Sequence, residues 1–261
     1  MQPARFAASL LSRVEDAGLN ASAPPQQRWI DGWLVRFCAG KAKRARCVNA
    51  VAMGQLPVAD KLALCQQVFD EASLPLIVRV TPMSQPRSLD TWLEGEGLRA
   101  FDDTRVMIHP DLSQLQAEPL GDGVALQRVG HSAFAQIVGQ LRGSPLAQQQ
   151  AHAQRLELSP VPFDAWVLRR VGDPAVLACG QTAAEADMVG LYDVFTAAAE
   201  RNRGWGRQLC AQLLHRASQK GARTGYLQVD AINLAARSLY HRLGFVDGYA
   251  YHYRTAASQV D

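Results

Sequence analysis

The segment from residue 188 to residue 207 restricts the possible folds of this chain more than any other. It begins with MVGLYDVFT, a nine-residue apolar run that predicts a buried strand. The sequence RNRGWGR follows at 201–207, and an amphipathic period from about 204 to 220 predicts a helix. A further strand is expected at 224–230. A strand, a helix and a second strand in this order favour an α/β or α+β fold with parallel strand pairs near its middle.

Composition and charge exclude several classes of protein. The chain has 261 residues, of which 48% are hydrophobic and 20% are charged, and these values are typical of globular proteins. No apolar stretch reaches the roughly 20 residues that span a bilayer. The formal net charge of +3 is too small for a strongly cationic nucleic-acid-binding protein. We therefore expect neither a nucleic acid nor a membrane as partner.

The cysteines and histidines give no sign of a metal site or a disulfide scaffold. The chain has five cysteines without a CxxC pair and six histidines without an HExxH pattern. The first 18 residues carry charges among apolar positions at helical spacing, which predicts a docked helix in place of a secretory signal. We expect no metal, free thiols and a reducing, cytoplasmic location.

The chain divides into two predicted domains. Residues 110–123 contain two prolines and two glycines, and this composition is typical of a connection. A boundary near residue 118 gives an N-terminal α+β domain (1–118) and a second domain (119–261). In the first domain, β-forming runs at 28–37 and 44–53 predict a hairpin that turns at Gly40 and Lys41.

Two segments resemble each other within the chain. Residues 92–107 and 239–253 both contain a helix end, a glycine and then a strand. Duplication of one structural unit explains this similarity, and so does the ordinary way in which a glycine ends a helix before a strand. The sequence leaves both explanations open.

The segment from Arg201 to Arg207 has the composition of an anion site. A helix N-terminus presents unpaired backbone N–H groups and the positive end of the helix dipole. Gly204 and Gly206 remove Cβ atoms that block close approach, and three arginines add positive charge. These features predict a cradle for a diphosphate. The alternative is a tight turn between strand and helix with the arginines in solvent.

A second group of residues follows about thirty positions later. Asn233 and Tyr240 are seven residues apart on a predicted helix, so they share one face. That helix is expected to end at Gly244 in a left-handed cap. Taken alone, Asn233 is typical of a helix N-cap and Tyr240 of a core aromatic residue.

Together the two motifs resemble the GNAT superfamily of acyl-CoA-dependent N-acetyltransferases. The matching residues are RxxGxG at 201–206 and the pattern Asn233-x-x-Ala236-x-x-x-Tyr240-x-x-x-Gly244-Phe245. The resemblance covers about 120–254. It implies a mixed central sheet flanked by helices, preceded by a smaller, degenerate GNAT-like α+β domain. Asn202 stands where a glycine is common in the family.

The resemblance also implies the roles of individual residues. The pyrophosphate of acetyl-CoA, the acetyl donor, is expected on the backbone amides of 202–207, and the pantetheine arm beside a strand that splays from its neighbour. Tyr240 matches the general acid that protonates the departing thiolate. The expected cofactor-binding residues are Val194, Phe195, Thr196, Arg201, Asn202, Arg203, Gly204, Trp205, Gly206, Arg207 and Asn233.

The acceptor is expected to be a primary amine of a small molecule or peptide. An amine must be neutral to attack, so we consider Asp193 and Glu185 as candidate bases and Tyr192 as a residue that could hold a water. The first domain is expected to form one wall of the acceptor cleft. Its candidate residues for that wall are Trp29, Trp33, Arg36, Lys41, Lys43, Arg44 and Arg46. The chain is expected to be a monomer or a homodimer.

Two other functions stay open at this point. A dinucleotide-dependent oxidoreductase is the rival enzyme, because a strand, Gly204-x-Gly206, a helix and a strand ending at Asp230 imitate a Rossmann unit. Leu209 at the third glycine position and a six-residue segment between the strand and the turn count against it. The non-enzymatic alternative is a sensor that binds acyl-CoA without turnover.

Overall fold

A computed structural model describes residues 6–38, 42–117 and 119–259 of the chain. The predicted turn at Gly40 and Lys41 and the predicted boundary at residue 118 lie outside these residues. Within them, no helix is both long and apolar enough to cross a membrane. The helices are α1 (Ala8–Ala21), α2 (Val58–Glu71), α3 (Leu89–Gly95), α4 (His131–Arg142), α5 (Leu146–Glu157), α6 (Trp205–Gln219) and α7 (Leu234–Arg242).

The two strands expected at 188–196 and 224–230 have those bounds in the structure, whereas the runs at 28–37 and 44–53 do not form single strands of that length. They are β1 (Gln27–Ile30), β2 (Trp33–Arg36), β3 (Val48–Asn49), β4 (Val78–Val80), β5 (Arg99–His109), β6 (Val124–Val129), β7 (Phe163–Arg170), β8 (Val176–Glu185), β9 (Met188–Thr196), β10 (Thr224–Asp230) and β11 (Val246–Thr255).

The chain forms two compact units, and neither is one continuous segment. The first contains the described residues up to Ser12, then Ser22–Arg105, and those from Tyr249 onward. The second contains Arg13–Ala21 and Val106–Gly248. The division into functional domains at 1–118 and 119–261 stays a prediction.

The first unit has the strand order β1-β2-β3-β4-β11. β1 and β2 form an antiparallel hairpin in which Ile30 pairs with Trp33, so the predicted single strand at 28–37 is wrong. The chain turns there at Asp31 and Gly32, whose φ angles of +40° and +83° suit a two-residue Asp-Gly hairpin turn. β3 and β4 are parallel, and α2 connects them.

The second unit has the strand order β5-β10-β9-β8-β7-β6. β7, β8 and β9 are antiparallel neighbours, whereas β9 and β10 are parallel and are connected by α6. This confirms the predicted parallel pair. One face of the sheet packs on α6 and α7 through Leu209, Leu213 and Tyr240. Side chains of α4, such as Phe134, belong to a separate core cluster with β7 and β8.

The same order of elements occurs twice along the chain. The first series is β1-β2-β3-α2-β4-α3-β5 and the second is β7-β8-β9-α6-β10-α7-β11. In each series the third and fourth strands are parallel and a helix connects them. The similar segments at 92–107 and 239–253 occupy the same place in the two series. The repeated order therefore favours duplication over the ordinary grammar of helix ends.

Candidate functional site

The site is built where β9 and β10 separate. Their pairing runs from Thr224 opposite Met188 to Leu227 opposite Leu191. Over the described residues it ends there, although β9 continues to Thr196 and β10 continues to Asp230. From Val194 to Thr196, the edge of β9 that faces β10 therefore keeps backbone N–H and C=O groups that are not paired with β10. Such groups can pair with the amides of an extended ligand.

A β-bulge lies at the start of this separated region. Tyr192 pairs with Gln181 and Phe195 pairs with Cys179, so β9 has one more residue than β8 over this stretch. Asp193 has a φ of +49°, which is rare for a residue with a side chain. The Cβ position of Gly180 faces Leu209 of α6. The neighbouring Gln181 therefore faces the side of the sheet that carries α4 and α5.

The turn before α6 forms an open cradle of backbone amides. Asn202 and Gly204 have φ angles of +62° and +81°, and residues 201–204 are exposed. The N-cap of α6 is Gly204, which has no side chain to accept the N–H groups of the first turn. A Cβ at Gly204 would meet nothing within 4 Å. Asparagine tolerates the left-handed conformation, which accounts for Asn202 at a position where glycine is common.

Gly206 brings the cradle close to the end of β9. A Cβ there would lie 3.1 Å from both Thr196 Oγ1 and Leu239 Cδ1. A larger residue would push the helix away from these neighbours. The absent side chain thus lets the amides of α6 lie beside the separated strand.

A carboxylate that the sequence did not reveal holds this turn in place. Glu200 accepts hydrogen bonds from both terminal nitrogens of Arg170 at 3.1 Å and from Trp205 Nε1 at 3.1 Å. Arg203 lies 3.4 Å from the same carboxylate. The hydrogen bonds from Arg170 are the main reason that the pKa of Glu200 lies below its usual value. Arg170 is thirty residues away in sequence, so no local pattern predicts the pair.

Tyr240 lies on the α6–α7 side of the sheet. It is 8% exposed, and its ring contacts Phe245 edge-on at 6.0 Å. None of the described residues forms a hydrogen bond with its hydroxyl. Burial, followed by the nearby Cys210, raises the pKa of Tyr240 well above its ordinary value. The phenol therefore keeps its proton throughout the usual pH range.

Asn233 is the N-cap of α7. Its side chain accepts a hydrogen bond from the backbone N–H of Ala236 at 3.2 Å. The sequence allows Asn233 either to contact the cofactor or to bond to the local backbone, and this contact is the local bond. A role in binding the cofactor stays a prediction.

The two candidate bases lie in different places. Asp193 is bound by Arg142 Nη1 at 2.9 Å, by Gln181 Nε2 at 2.7 Å and by His152 Nε2 at 3.2 Å. Desolvation raises the pKa of Asp193, but His152 and Arg142 outweigh it and hold that pKa far below the usual range. An ion-paired carboxylate of this kind has a low affinity for protons.

Glu185 is not brought to the separated strands. It ends β8 opposite Met188, and it accepts hydrogen bonds from Asn20 Nδ2 at 3.0 and 3.1 Å. Five residues of strand separate Met188 from Asp193, which is about 16 Å. Tyr192 lies nearer the site, and its hydroxyl is 3.0 Å from that of Tyr226.

Two residues of the first unit that are expected to face an acceptor are buried. Trp33 and Arg36 are buried inside that unit, with exposures of 0% and 1%, so the expectation is wrong for both. Arg36 donates to Gln27 and Ser22 there. Trp29 is exposed, whereas Lys41 lies outside the described residues.

A comparison with known families shows which family this chain belongs to. Residues 9–254 match the family described as "Probable histone acetyltransferase Rv0428c C-terminal". The chain belongs to this family. It is a GNAT acyltransferase, as the motifs at 201–206 and 233–245 indicated, and the dinucleotide oxidoreductase is set aside.

Individual relatives agree with this family. An uncharacterized N-acetyltransferase, YobR of Bacillus subtilis (strain 168), is 25% identical over 230 residues, covering 87% of this chain and 91% of YobR. A GCN5-related N-acetyltransferase from Kribbella flavida has a similar structure, with a TM-score of 0.71, 16% identity and coverage of 96% and 97% of the two chains. A tandem GNAT protein from the clavulanic acid biosynthesis pathway gives a TM-score of 0.64 at 13% identity, covering 78% of this chain and 70% of the other. These structures confirm the GNAT fold.

Metal ligation has no candidate cluster in the described ranges. No group of three or more His, Cys, Asp or Glu side chains there is arranged to hold a metal ion. Near the bulge, His152 Nε2 lies 3.2 Å from Asp193, so these two side chains are partners of each other.

Proposed function

We propose that this GNAT enzyme transfers an acetyl group from acetyl-CoA to a primary amine by direct attack on the thioester. The observation that carries the proposal is the amide cradle at the start of α6, beside the point where β9 and β10 separate: its turn at 201–204 is exposed, and its N-cap, Gly204, has no side chain. A diphosphate fits such a cradle because N–H groups and the helix dipole both favour an anion.

The residues present suit each part of the donor. The amides of Gly204–Arg207 would hold the diphosphate, with Arg201 and Arg203 nearby as cations. The free backbone edge of Val194–Thr196 would pair with the amides of the pantetheine arm. The side-chain oxygen of Asn233 already accepts the N–H of Ala236, so its amide nitrogen would make any contact with the donor.

Acetyl-CoA supplies the electrophilic thioester carbonyl. The amine forms a C–N bond with that carbon, and the C–S bond breaks. Tyr240 donates its phenolic proton to the departing sulfur, the amine gives up one proton to solvent as the amide forms, and the tyrosinate takes a proton back from solvent. Burial keeps Tyr240 protonated, and only the protonated phenol can donate.

The amine reaches the carbonyl in its neutral form. Asp193 is the candidate base nearer to the separated strands, but its ion pairs leave it a poor acceptor of protons. We assign Asp193 to stabilising the bulge, since three side chains fix its carboxylate at a strained position. Glu185 lies too far along the β8–β9 hairpin to act on the same amine.

The acceptor class includes small amines and lysine side chains of peptides. The description of the family names a histone acetyltransferase, so a peptide lysine belongs among the acceptors to be tested. All five cysteines are free thiols, which supports a reducing, cytoplasmic location. A monomer or homodimer is sufficient for the proposed site, because its residues come from one chain.

The test is release of free thiol from acetyl-CoA over a panel of small amines and lysine-containing peptides. We expect turnover with at least one amine. Replacing Tyr240→Phe should lower kcat by about 100-fold, as expected for loss of a general acid, while the KM for acetyl-CoA changes less than about threefold. Equal kcat in the two proteins would remove Tyr240 from the mechanism.

The acyl-CoA sensor is the remaining alternative. It predicts binding of acetyl-CoA with no thiol release for any amine on the panel.

A further inference from the structure

The first unit contains a second amide cradle at the corresponding place in the repeated series. It lies between β3 and α2, just as the cradle of the second unit lies between β9 and α6. Gly54 has a φ of +69°, as Gly204 has a φ of +81°, and each lies in the segment before the helix that connects the two parallel strands. Gly54 stands four residues before the first residue of α2, whereas Gly204 is itself the N-cap of α6. The two cradles differ in what they contain.

The carboxylate of Asp31 fills the cradle of the first unit. The backbone N–H of Gln55 is 2.9 Å from both carboxylate oxygens, and that of Leu56 is 2.8 Å from Oδ2. A Cβ at Gly54 would lie 2.3 Å from the same Oδ2, so only glycine leaves room for Asp31. These N–H groups, that of Gln55 first, lower the pKa of Asp31 and keep it an anion.

A buried cation completes the arrangement. Lys61 is 1% exposed, and its Nζ lies 3.6 Å from Asp31 Oδ2 and 4.8 Å from the centre of the Trp33 ring. It also donates to the carbonyl of Met53. A buried ammonium needs a nearby anion. The carboxylate of Asp31 therefore accepts the backbone N–H groups and also compensates the charge of Lys61.

We infer that Asp31 is a built-in anion, which occupies in the first unit the place that a diphosphate takes in the second, so the chain holds a single acyl-CoA. The Asp-Gly turn between β1 and β2 places this carboxylate in the cradle, and the left-handed backbone at Asp31 is part of that turn. The inference rests on the proposed function in one respect, namely that the cradle at α6 takes a diphosphate.

Emptying the first cradle should create a weak anion site. Asp31→Gly keeps the turn, because glycine adopts positive φ freely, and leaves the N–H groups and Lys61 without their anion. We expect the unfolding temperature to fall by about 3–8 °C. Inorganic phosphate or pyrophosphate, compared with chloride at equal ionic strength, should restore at least half of that loss.

Two further variants make this rescue specific. Asp31→Asn keeps the shape of the side chain and removes its charge. It should therefore show a smaller loss of unfolding temperature and a smaller rescue by phosphate, and it serves as the test variant if Asp31→Gly folds poorly. Asp111→Gly is the matched control, because Asp111 also accepts a backbone N–H, that of Ser113 at 2.8 Å, but fills no cradle. Phosphate should raise the unfolding temperature of this control only as much as it raises that of the wild type.

Three results would overturn the inference. They are equal phosphate effects on the Asp31 variants and on Asp111→Gly, an unchanged unfolding temperature in Asp31→Gly, and a calorimetric stoichiometry of two coenzyme A molecules per wild-type chain. The rescue is measured by stability and with phosphate. An enzyme that transfers no acetyl group would therefore refute the proposed function and leave this test intact.

Discussion

The protonation states of Tyr240 and Asp193 distinguish the proposed mechanism from one in which an enzyme side chain acts as the base. Tyr240 stays protonated because burial raises its pKa, and Asp193 stays ionised because His152 and Arg142 hold its pKa down. Neither group changes its charge between pH 6 and pH 9. The group whose protonation then limits turnover is the acceptor amine itself.

The pH dependence of turnover should follow the acceptor. We expect kcat/KM for the amine to rise with pH until the pKa of that amine, and then to stay level, because the protonated phenol is retained. Two acceptors whose pKa values differ by about 2 should give inflections about 2 pH units apart. An inflection at one fixed pH for both acceptors would identify an enzyme group as the base.

At the level of strands and helices, Gly190 is the position on β9 with the least room. A Cβ there would lie 2.5 Å from Tyr192 Cε2 and 2.6 Å from Tyr226 Cζ. Gly190→Ala must displace one of these rings, and we expect it to cost about 1–3 kcal/mol of unfolding free energy. Thermal or denaturant unfolding measures this loss.

A glycine on the neighbouring strand provides the control for that measurement. A Cβ at Gly225 would have its nearest contact at 3.3 Å, to Phe245. Gly225→Ala should therefore cost clearly less than Gly190→Ala. Equal losses would mean that both substitutions act through the strand backbone and that the two tyrosines give way easily.

The sequence predicts the elements around the site well and their side-chain partners poorly. β9 is predicted at its observed bounds, and α6 within one residue, because an apolar run and a helical period are both local signals. The Asp31–Gly32 turn has no clear sequence signal, because the β-forming residues on both sides of it resemble one continuous strand. The pairs Arg170–Glu200 and Arg142–Asp193 have none either, because only the folded chain brings such distant residues together.

At the level of the whole molecule, coenzyme A binding could depend on the net charge or on the charges near the cradle, and the two cases predict different effects of substitution. The net charge of +3 is small, so we expect coenzyme A binding to depend on the arginines at the cradle. Arg201→Gln and Lys220→Gln both lower the net charge to the same value. Lys220 follows the last residue of α6, about 22 Å from the first turn.

Only the change near the cradle should alter coenzyme A binding. We expect Arg201→Gln to raise the Kd by about 3- to 10-fold at low salt, and this difference to shrink in 0.5 M NaCl. Lys220→Gln should leave the Kd unchanged. Equal effects of the two substitutions would show that long-range attraction by the whole molecule dominates binding.

The most direct test of the central claim is the affinity of coenzyme A for two variants at Gly204, measured by calorimetry. Asparagine and aspartate have nearly the same shape, and asparagine tolerates the left-handed backbone at this position, so the pair differs mainly in charge. If the diphosphate lies on these amides, Gly204→Asp should bind at least about tenfold more weakly than Gly204→Asn. Equal affinities for the two variants would contradict the account.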